Sequence, residues 1–247
     1  MDRGSGSAKI FLQLALLAAA SCVPEGPATG DGATPGRGSA SAGSAAVKTV
    51  PSGPQAAFLD DFERAELGAE WNALSPRWKI VSGRLCARGA RNKGVWLRRA
   101  LPVNAVVEFD AIAESETGDL KAEVWGDGQS GATGTSYTDA TSYLVILGGW
   151  KNTMHVLARM DEHGEDRFEV EVDPESDDER ARPVSPGQVY RFRVERSDGR
   201  TVRWSVNGIS YFELADPEPL AGRGHEHLGF NNWDAPVCFD NVRVSPL

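Results

Sequence analysis

From Phe58 onward, apolar residues recur at every second position rather than at every third or fourth, which is the period of strands with one covered face. Tyr190, Phe192 and Val194 alternate with Arg191, Arg193 and Glu195, and Val202, Trp204 and Val206 alternate with Arg203, Ser205 and Asn207. Asp198-Gly199 separates the two runs, and Asn207-Gly208 leads from the second into a third over residues 209–214. Both dipeptides suit the positive φ of tight hairpin turns. The pattern predicts an antiparallel meander with one buried and one wet face. Further strands are predicted over residues 78–81, 84–88, 95–98, 105–113, 120–125, 143–147, 154–158, 168–172 and 237–244, and no segment carries the spacing of a long amphipathic helix. Many short strands with closely spaced turn signals predict an all-β sandwich or barrel over residues 57–247. That length is enough for one well-cored domain.

The chain ahead of this domain follows other rules. Arg3 and Lys9 precede an apolar run from Ile10 to Ala20, which closes on small residues and Ser21. The run is too short to span a bilayer as a helix, and its order of basic, apolar and small residues describes a secretory signal peptide over residues 1–21. Residues 22–56 are dominated by Gly, Ala, Ser and Pro. Such a stretch buries too little apolar surface to offset its ordering entropy and reads as a flexible linker.

Composition then narrows the partners. The formal charge of the chain is −9, and losing Asp2, Arg3 and Lys9 with the signal peptide makes it one unit more negative. An acidic chain lacks the basic side chains that supply affinity for phosphate backbones or anionic lipid, so nucleic acid is excluded as an expected partner. Two cysteines remain in the domain, Cys86 and Cys238. In an exported protein a disulfide between them can persist; the alternative, two buried free thiols, stays open on the sequence.

Ala19-Ala20-Ser21-Cys22 resembles the lipobox of bacterial lipoproteins, with Ala19 where that family prefers leucine. The resemblance implies acylation at Cys22, several acyl chains and anchorage to the cell envelope. Stable anchorage needs more than one such chain. Val23 in place of aspartate implies, by the same resemblance, the outer rather than the inner membrane.

Within the domain, Leu59-Asp60-Asp61-Phe62 with Trp71 downstream is followed by Trp78-Lys79-Ile80-Val81-Ser82-Gly83-Arg84-Leu85, by the hairpin around Asn207-Gly208, and by Cys238-Phe239-Asp240-Asn241-Val242-Arg243-Val244. This order resembles the concanavalin A-like lectin and glucanase sandwich, an antiparallel jelly roll shared by lectins, laminin G-type modules and family 16 glycoside hydrolases. The resemblance also implies a structural calcium near the chain ends, with Asp60, Asp61 and Asp240 as candidate ligands. Fold by itself licenses no function.

Glu171-Val172-Asp173-Pro174-Glu175 resembles the Glu-x-Asp-x-Glu catalytic signature of family 16 glycoside hydrolases. On an unbroken strand Glu171, Asp173 and Glu175 would share a face, and retaining hydrolysis needs two carboxyls about 5 to 5.5 Å apart. Pro174 interrupts that strand and points to a solvated acidic loop instead. Read as an EF-hand, the loop lacks the turn glycine and the closing glutamate, which Asp178 and Val184 replace. His225-Glu226-His227 offers two imidazoles without a third ligand for zinc.

Flat rings beside amides and carboxylates suit a sugar, whose C–H faces stack and whose hydroxyls need acceptors. Trp125 with Asp127, Trp150 with Asn152, and Asn231 with Trp233 fall at predicted strand ends or loops, where recognition usually sits. Each tryptophan could equally plug the core. Residues 126–142 form a binding loop or a long polar connection. The expectation is a tethered, non-catalytic carbohydrate-binding module. The alternatives are a glycoside hydrolase or lyase on the same scaffold and a protein-interaction module of the envelope.

Overall fold

The computed structural model describes residues 56–247. Cys22, the signal peptide and residues 22–55 of the linker lie outside the described residues. The strands run β1 Phe58–Asp60, β2 Trp71–Ala73, β3 Lys79–Val81, β4 Arg84–Ala87, β5 Val95–Leu97, β6 Ala105–Ala113, β7 Leu120–Gly126, β8 Tyr143–Gly148, β9 Met154–Arg159, β10 Phe168–Glu171, β11 Val189–Arg196, β12 Thr201–Val206, β13 Ile209–Ala215, β14 His227–Asn231 and β15 Val237–Pro246. They form two antiparallel sheets. One has the order β13-β12-β11-β6-β15-β4-β3, with β1 paired to β15; the other has the order β10-β9-β8-β7-β14-β5-β2.

The predicted meander is present as β11, β12 and β13. Asn207 and Gly208 take φ of 53° and 83°, the left-handed pair that a two-residue hairpin turn requires. At the other turn, Asp198 accepts from the N–H groups of Arg200 and Thr201 and from the Thr201 hydroxyl. These bonds hold its carboxyl well below the usual aspartate range.

Between the sheets lies one aromatic-rich core. Phe230 of the seven-stranded sheet stacks on Phe239 of the other with centroids 4.2 Å apart, and Phe109 packs on Phe192 at 4.8 Å and on Phe230 at 5.0 Å. Each of these fully buried rings contributes about 1.5–3 kcal/mol by leaving water. Cys86 and Cys238 are Cα partners on β4 and β15, 4.1 Å apart, and are joined by a disulfide. The question that the sequence leaves open is thus decided by register.

Sequence periodicity finds neither β1, β2 nor β14. The first two are three-residue strands that bury a single side chain each. In β14, Gly229 and Asn231 interrupt any alternation, yet the strand sits between β7 and β5. Gly229 is required there: a Cβ would come within 2.6 Å of the Trp96 ring, which lies over it.

Candidate functional site

The outer face of the seven-stranded sheet is not solvated as the alternation rule expects. Lys121 and Glu123 of β7 and Asn231 of β14 point onto it, beside Leu144 and Ile146 of β8 and Val156 and Ala158 of β9, and all are buried. Residues 127–142 form the cover. Ala132, Tyr137 and Ala140 pack on Leu144, Ile146, Val156 and Ala158 as a second small apolar cluster. The cover is fastened at both margins, by Ala132 N–H to Asn92 O at 3.0 Å and by Glu162 N–H to Tyr137 O at 3.1 Å.

Beneath this cover Glu123 accepts from the Tyr137 hydroxyl at 2.9 and 3.0 Å, from Ser142 at 2.7 Å and from Asn231 at 2.5 Å. Burial raises its carboxyl above the ordinary glutamate range, and these donors only partly offset that. Burial and the nearby carboxylate likewise push the Tyr137 hydroxyl up. Lys121 donates to Glu162 at 2.6 Å and to Asn92 at 3.1 Å. Burial alone would lower its ammonium, but Asp119, Glu162 and Glu123 around it raise it.

Asp119 stands beside the polar row. It lies just ahead of β7 with φ of 69°, and its carboxyl is enclosed although the residue as a whole is only half-buried. Burial among its neighbours raises its carboxyl, against the pull of Lys121 and of the Trp233 N–H, which donates to it at 3.0 Å. On the other side, Asp119 N–H donates to Gly148 O at 2.7 Å. Trp150 follows Gly148 by two residues. Both Trp150 and Trp233 are half-buried, and each carries an arginine on its ring: Arg167 at 4.9 Å from the Trp150 centroid and Arg91 at 4.6 Å from Trp233. A contact of this kind is worth roughly 0.5–1 kcal/mol at an exposed site. His163 links the two parts, 3.3 Å from Glu162 and edge-on to Trp150 at 5.6 Å.

Trp150 owes its position to an unusual turn. Trp150, Lys151 and Asn152 have φ of 51°, 63° and 64°, a left-handed run without glycine. Each such residue costs roughly 1–2 kcal/mol, so the surroundings must enforce it. Asn152 does so with its whole amide: it donates to Glu116 O at 3.0 Å and to Val184 O at 2.8 Å, and accepts from Val184 N–H at 2.9 Å. His155 Nδ1 accepts from Gly148 N–H at 2.8 Å, which leaves the ring proton on Nε2, facing Arg182 O at 3.1 Å. At Gly148, where φ is 69°, a Cβ would lie 2.7 Å from both Asn152 and Val184.

The residues expected from the sequence separate accordingly. Trp150 and Trp233 are half-buried beside this region, whereas Asn231 is sealed beneath the cover with its amide on Glu123 and presents nothing to a ligand. Asn152 is there as well, but its amide nitrogen and oxygen both bond the chain, so it holds the turn. Trp125 requires correction. It is fully buried, with its N–H on Pro102 O at 3.0 Å and Arg196 over its ring at 3.9 Å, and presents nothing at the surface. Asp127 caps a turn, accepting from Gln129 and Ser130. Glu171 ends the edge strand β10, whereas Asp173 lies in a turn and accepts from Glu175 N–H at 2.9 Å. The three carboxylates therefore do not share one strand face.

The expected calcium does not fit its candidate ligands. Asp60 is taken by Arg64 at 2.5 and 2.9 Å, Trp71 at 2.8 Å and Phe62 N–H at 2.9 Å. Asp61 accepts from Glu63 N–H, and Asp240 accepts from Asn241 N–H and lies 3.8 Å from Arg84. Calcium asks for six to eight free oxygens. No group of three or more His, Cys, Asp or Glu placed to hold a metal occurs among the described residues. His225 and His227 each bond a backbone carbonyl, of Thr141 and Leu97 respectively.

A cleft of about 660 Å³ opens elsewhere, lined by Leu59, Asp61, Arg64, Glu70, Asn241 and Arg243 among others. The ring that lines it, Phe58, is itself buried, so the cleft lacks the flat exposed surface on which a sugar stacks. Asp119, Lys121, Glu123, Tyr137 and Glu162 are the site residues that sequence reasoning missed. The available signal was Asp119-Leu-Lys121-Ala-Glu123, charges at every second position on a strand whose β8 neighbour, Tyr143 to Gly148, is apolar throughout.

No protein-family model matches the chain, and no curated protein matches it in sequence. Its likeness is to solved structures. The carbohydrate-binding module CBM66 from Bacillus subtilis superposes with a TM-score of 0.51 at 13% identity, over 71% of this chain and 96% of that one. The fold is the concanavalin A-like β-sandwich. A prokaryotic β-1,3-1,4-glucanase (lichenase) derived from a mouse hindgut metagenome matches this sandwich with a TM-score of 0.51 at 10% identity, over 77% and 99%. The carbohydrate recognition domain of Emp47p matches it with a TM-score of 0.52 at 11% identity, over 77% and 94%. At such identities the sandwich is shared as a fold and its sites must be argued separately.

Proposed function

We propose that the sandwich binds carbohydrate, without catalysis, at the surface that presents Trp150 and Trp233. The observation that carries this reading is that two half-buried tryptophans lie on segments that both bond Asp119: the Trp233 backbone N–H donates to its carboxyl, and Asp119 N–H donates to Gly148 O, two residues before Trp150. The half-buried rings offer stacking surfaces for a sugar. That the fold is shared with carbohydrate-binding modules and lectin domains adds support. The absence of turnover is supported by the sealing of Glu123 and the separation of Glu171, Asp173 and Glu175. A lipid on Cys22 would present the domain at the envelope through the linker, a reading carried by the sequence alone.

Calorimetric titration and a glycan array test the site. Trp150→Ala and Trp233→Ala should each weaken binding about tenfold, since one ring contact is worth roughly 0.5–1.5 kcal/mol beyond its area; Trp125→Phe should leave the affinity unchanged. Saccharide binding that survives loss of both rings would refute the assignment. Release of new reducing ends from any bound glycan would refute the non-catalytic part. For the anchor, palmitate labelling should be abolished by Cys22→Ala.

A further inference from the structure

We infer that the glycan bound beside Trp233 is an acidic polysaccharide, carrying uronate or sulfate groups, held by a cluster of basic side chains along one edge of the sandwich. The inference rests on the proposed carbohydrate reading and goes on to the charge of the ligand. The net charge of −9 hides an uneven distribution. Residues 71–107 contain eight Lys and Arg and no Asp or Glu, whereas residues 161–179 contain eleven Asp and Glu and a single Arg. The sheets keep these segments apart. β2 and β5 close one end of the seven-stranded sheet and β3 and β4 one end of the eight-stranded sheet, while β10 stands at the end of its sheet farthest from β2. The connections β2–β3 and β4–β5 are short and pass from one sheet to the other, so the two basic ends lie together.

Five exposed cations of this edge stand on segments that are bonded to one another and to Trp233. Arg91 N–H donates to Trp233 O at 3.0 Å and Asn92 N–H to Asn232 O at 2.8 Å, which lays the β4–β5 loop along the residues after β14. The Arg91 guanidinium covers the Trp233 ring. Lys93 O accepts the Trp78 indole N–H at 2.8 Å, and Trp78 is flanked by Arg77 and Lys79. Lys79 is the register partner of Cys86, two residues ahead of Arg88. Arg77, Lys79 and Arg88 make no ion pair among the described residues. Arg91 is paired with Asp234 at 3.0 Å, but both partners are more than half exposed, and such a pair is weak enough to be exchanged for another anion.

Like charges gathered on one surface, with a carboxylate-rich surface at the far edge, attract a polyanion to the first and repel it from the second. Trp233 lies within the basic cluster, so stacking on a sugar face and pairing with its acidic group can occur together. A lipid headgroup would use the cations and leave the ring idle.

The test uses the full chain with Cys22→Ala, so that no acyl group carries it to lipid. It is titrated calorimetrically with polygalacturonate, alginate and a sulfated glycan, with neutral galactan and dextran, with single-stranded DNA and with phosphatidylglycerol vesicles. An acidic polysaccharide should bind at least about tenfold tighter than the neutral polymers, and its affinity should fall about tenfold or more from about 50 to about 300 mM salt. Arg77→Glu combined with Arg88→Glu should weaken it about tenfold or more without changing the melting temperature, since both side chains are exposed and unpaired. Arg223→Glu, exposed ahead of the opposite end of β14, should change it by less than about threefold. Neutral glycans bound as tightly, or an acidic glycan unaffected by salt and by the double reversal, would overturn the inference while leaving carbohydrate binding intact. DNA or vesicles bound as tightly as the acidic glycan, or an acidic glycan unaffected by Trp233→Ala, would overturn the assignment of the cluster to a glycan. No binding to any saccharide would instead overturn the reading on which it rests.

Discussion

The two outer faces of this sandwich are built from the same kind of strand and end in opposite states. On the eight-stranded sheet the outer side chains form a solvated lattice of opposite charges: Arg193 with Glu108 at 3.1 Å and Glu195 at 2.6 Å, Arg191 with Asp110 at 3.3 Å, Arg203 with Glu213 at 3.2 Å. On the seven-stranded sheet the charges are fewer and sealed under residues 127–142, where each must find its partner inside the protein. The lattice costs little to disturb because water replaces any lost contact. The sealed face holds its geometry because water cannot.

That contrast can be broken first at Glu123. Glu123→Ala would strand the Tyr137 and Ser142 hydroxyls and the Asn231 amide, all within 3.0 Å of the carboxylate, and should cost about 3 kcal/mol in urea unfolding at neutral pH. Glu123→Gln should recover most of that loss. Because burial raises the Glu123 carboxyl, its contribution to stability is present below its unfolded pKa and lost as pH rises through the folded one. The Gln variant should flatten that dependence, and an unchanged profile would show that the carboxyl is not the titrating group.

A second, intermediate effect is expected at His155. Burial lowers its pKa, and its neutral form accepts the Gly148 N–H at the root of the Trp150 turn. Stability from this group is present above the unfolded pKa of about 6.5 and lost as pH falls below it, by up to about 1.4 kcal/mol per pH unit. Thermal unfolding followed by tryptophan fluorescence should show this acid slope, and His155→Gln should reduce it. Loss of saccharide binding over the same pH range would tie the turn to the site. The smallest effect belongs to the lattice: Arg193→Ala should cost less than about 1 kcal/mol, with further weakening of the difference in high salt. A larger loss would mean that the two faces are not so different.

Much of the sandwich is legible in the chain. Residues 105–113 read as a strand and are one, and Asn207-Gly208 and Asp198-Gly199 turn where their chemistry requires. The site is legible only in part. Trp150 and Trp233 read as ring platforms and are half-exposed, whereas Trp125 reads identically and is buried beneath Arg196. Nothing local distinguishes them, because exposure depends on which strand lies above the ring. Asn152 reads as a sugar-binding amide and spends its groups on Glu116 and Val184, a partner 32 residues away.

Alternation of side chains along a pleated strand has a period of two, so the sequence by itself determined that this chain makes two-faced strands and where the hairpins of the meander turn. It also specified an acidic surface. Which faces close on each other, which cysteines meet and which charges are sealed depend on contacts between residues far apart in the chain. Tertiary structure alone decided that residues 127–142 lie across β7, β8 and β9. That choice turned Lys121 and Glu123 from outward charges into buried, internally bonded groups, because a charge shut away from water takes its energy from the partners that the fold supplies.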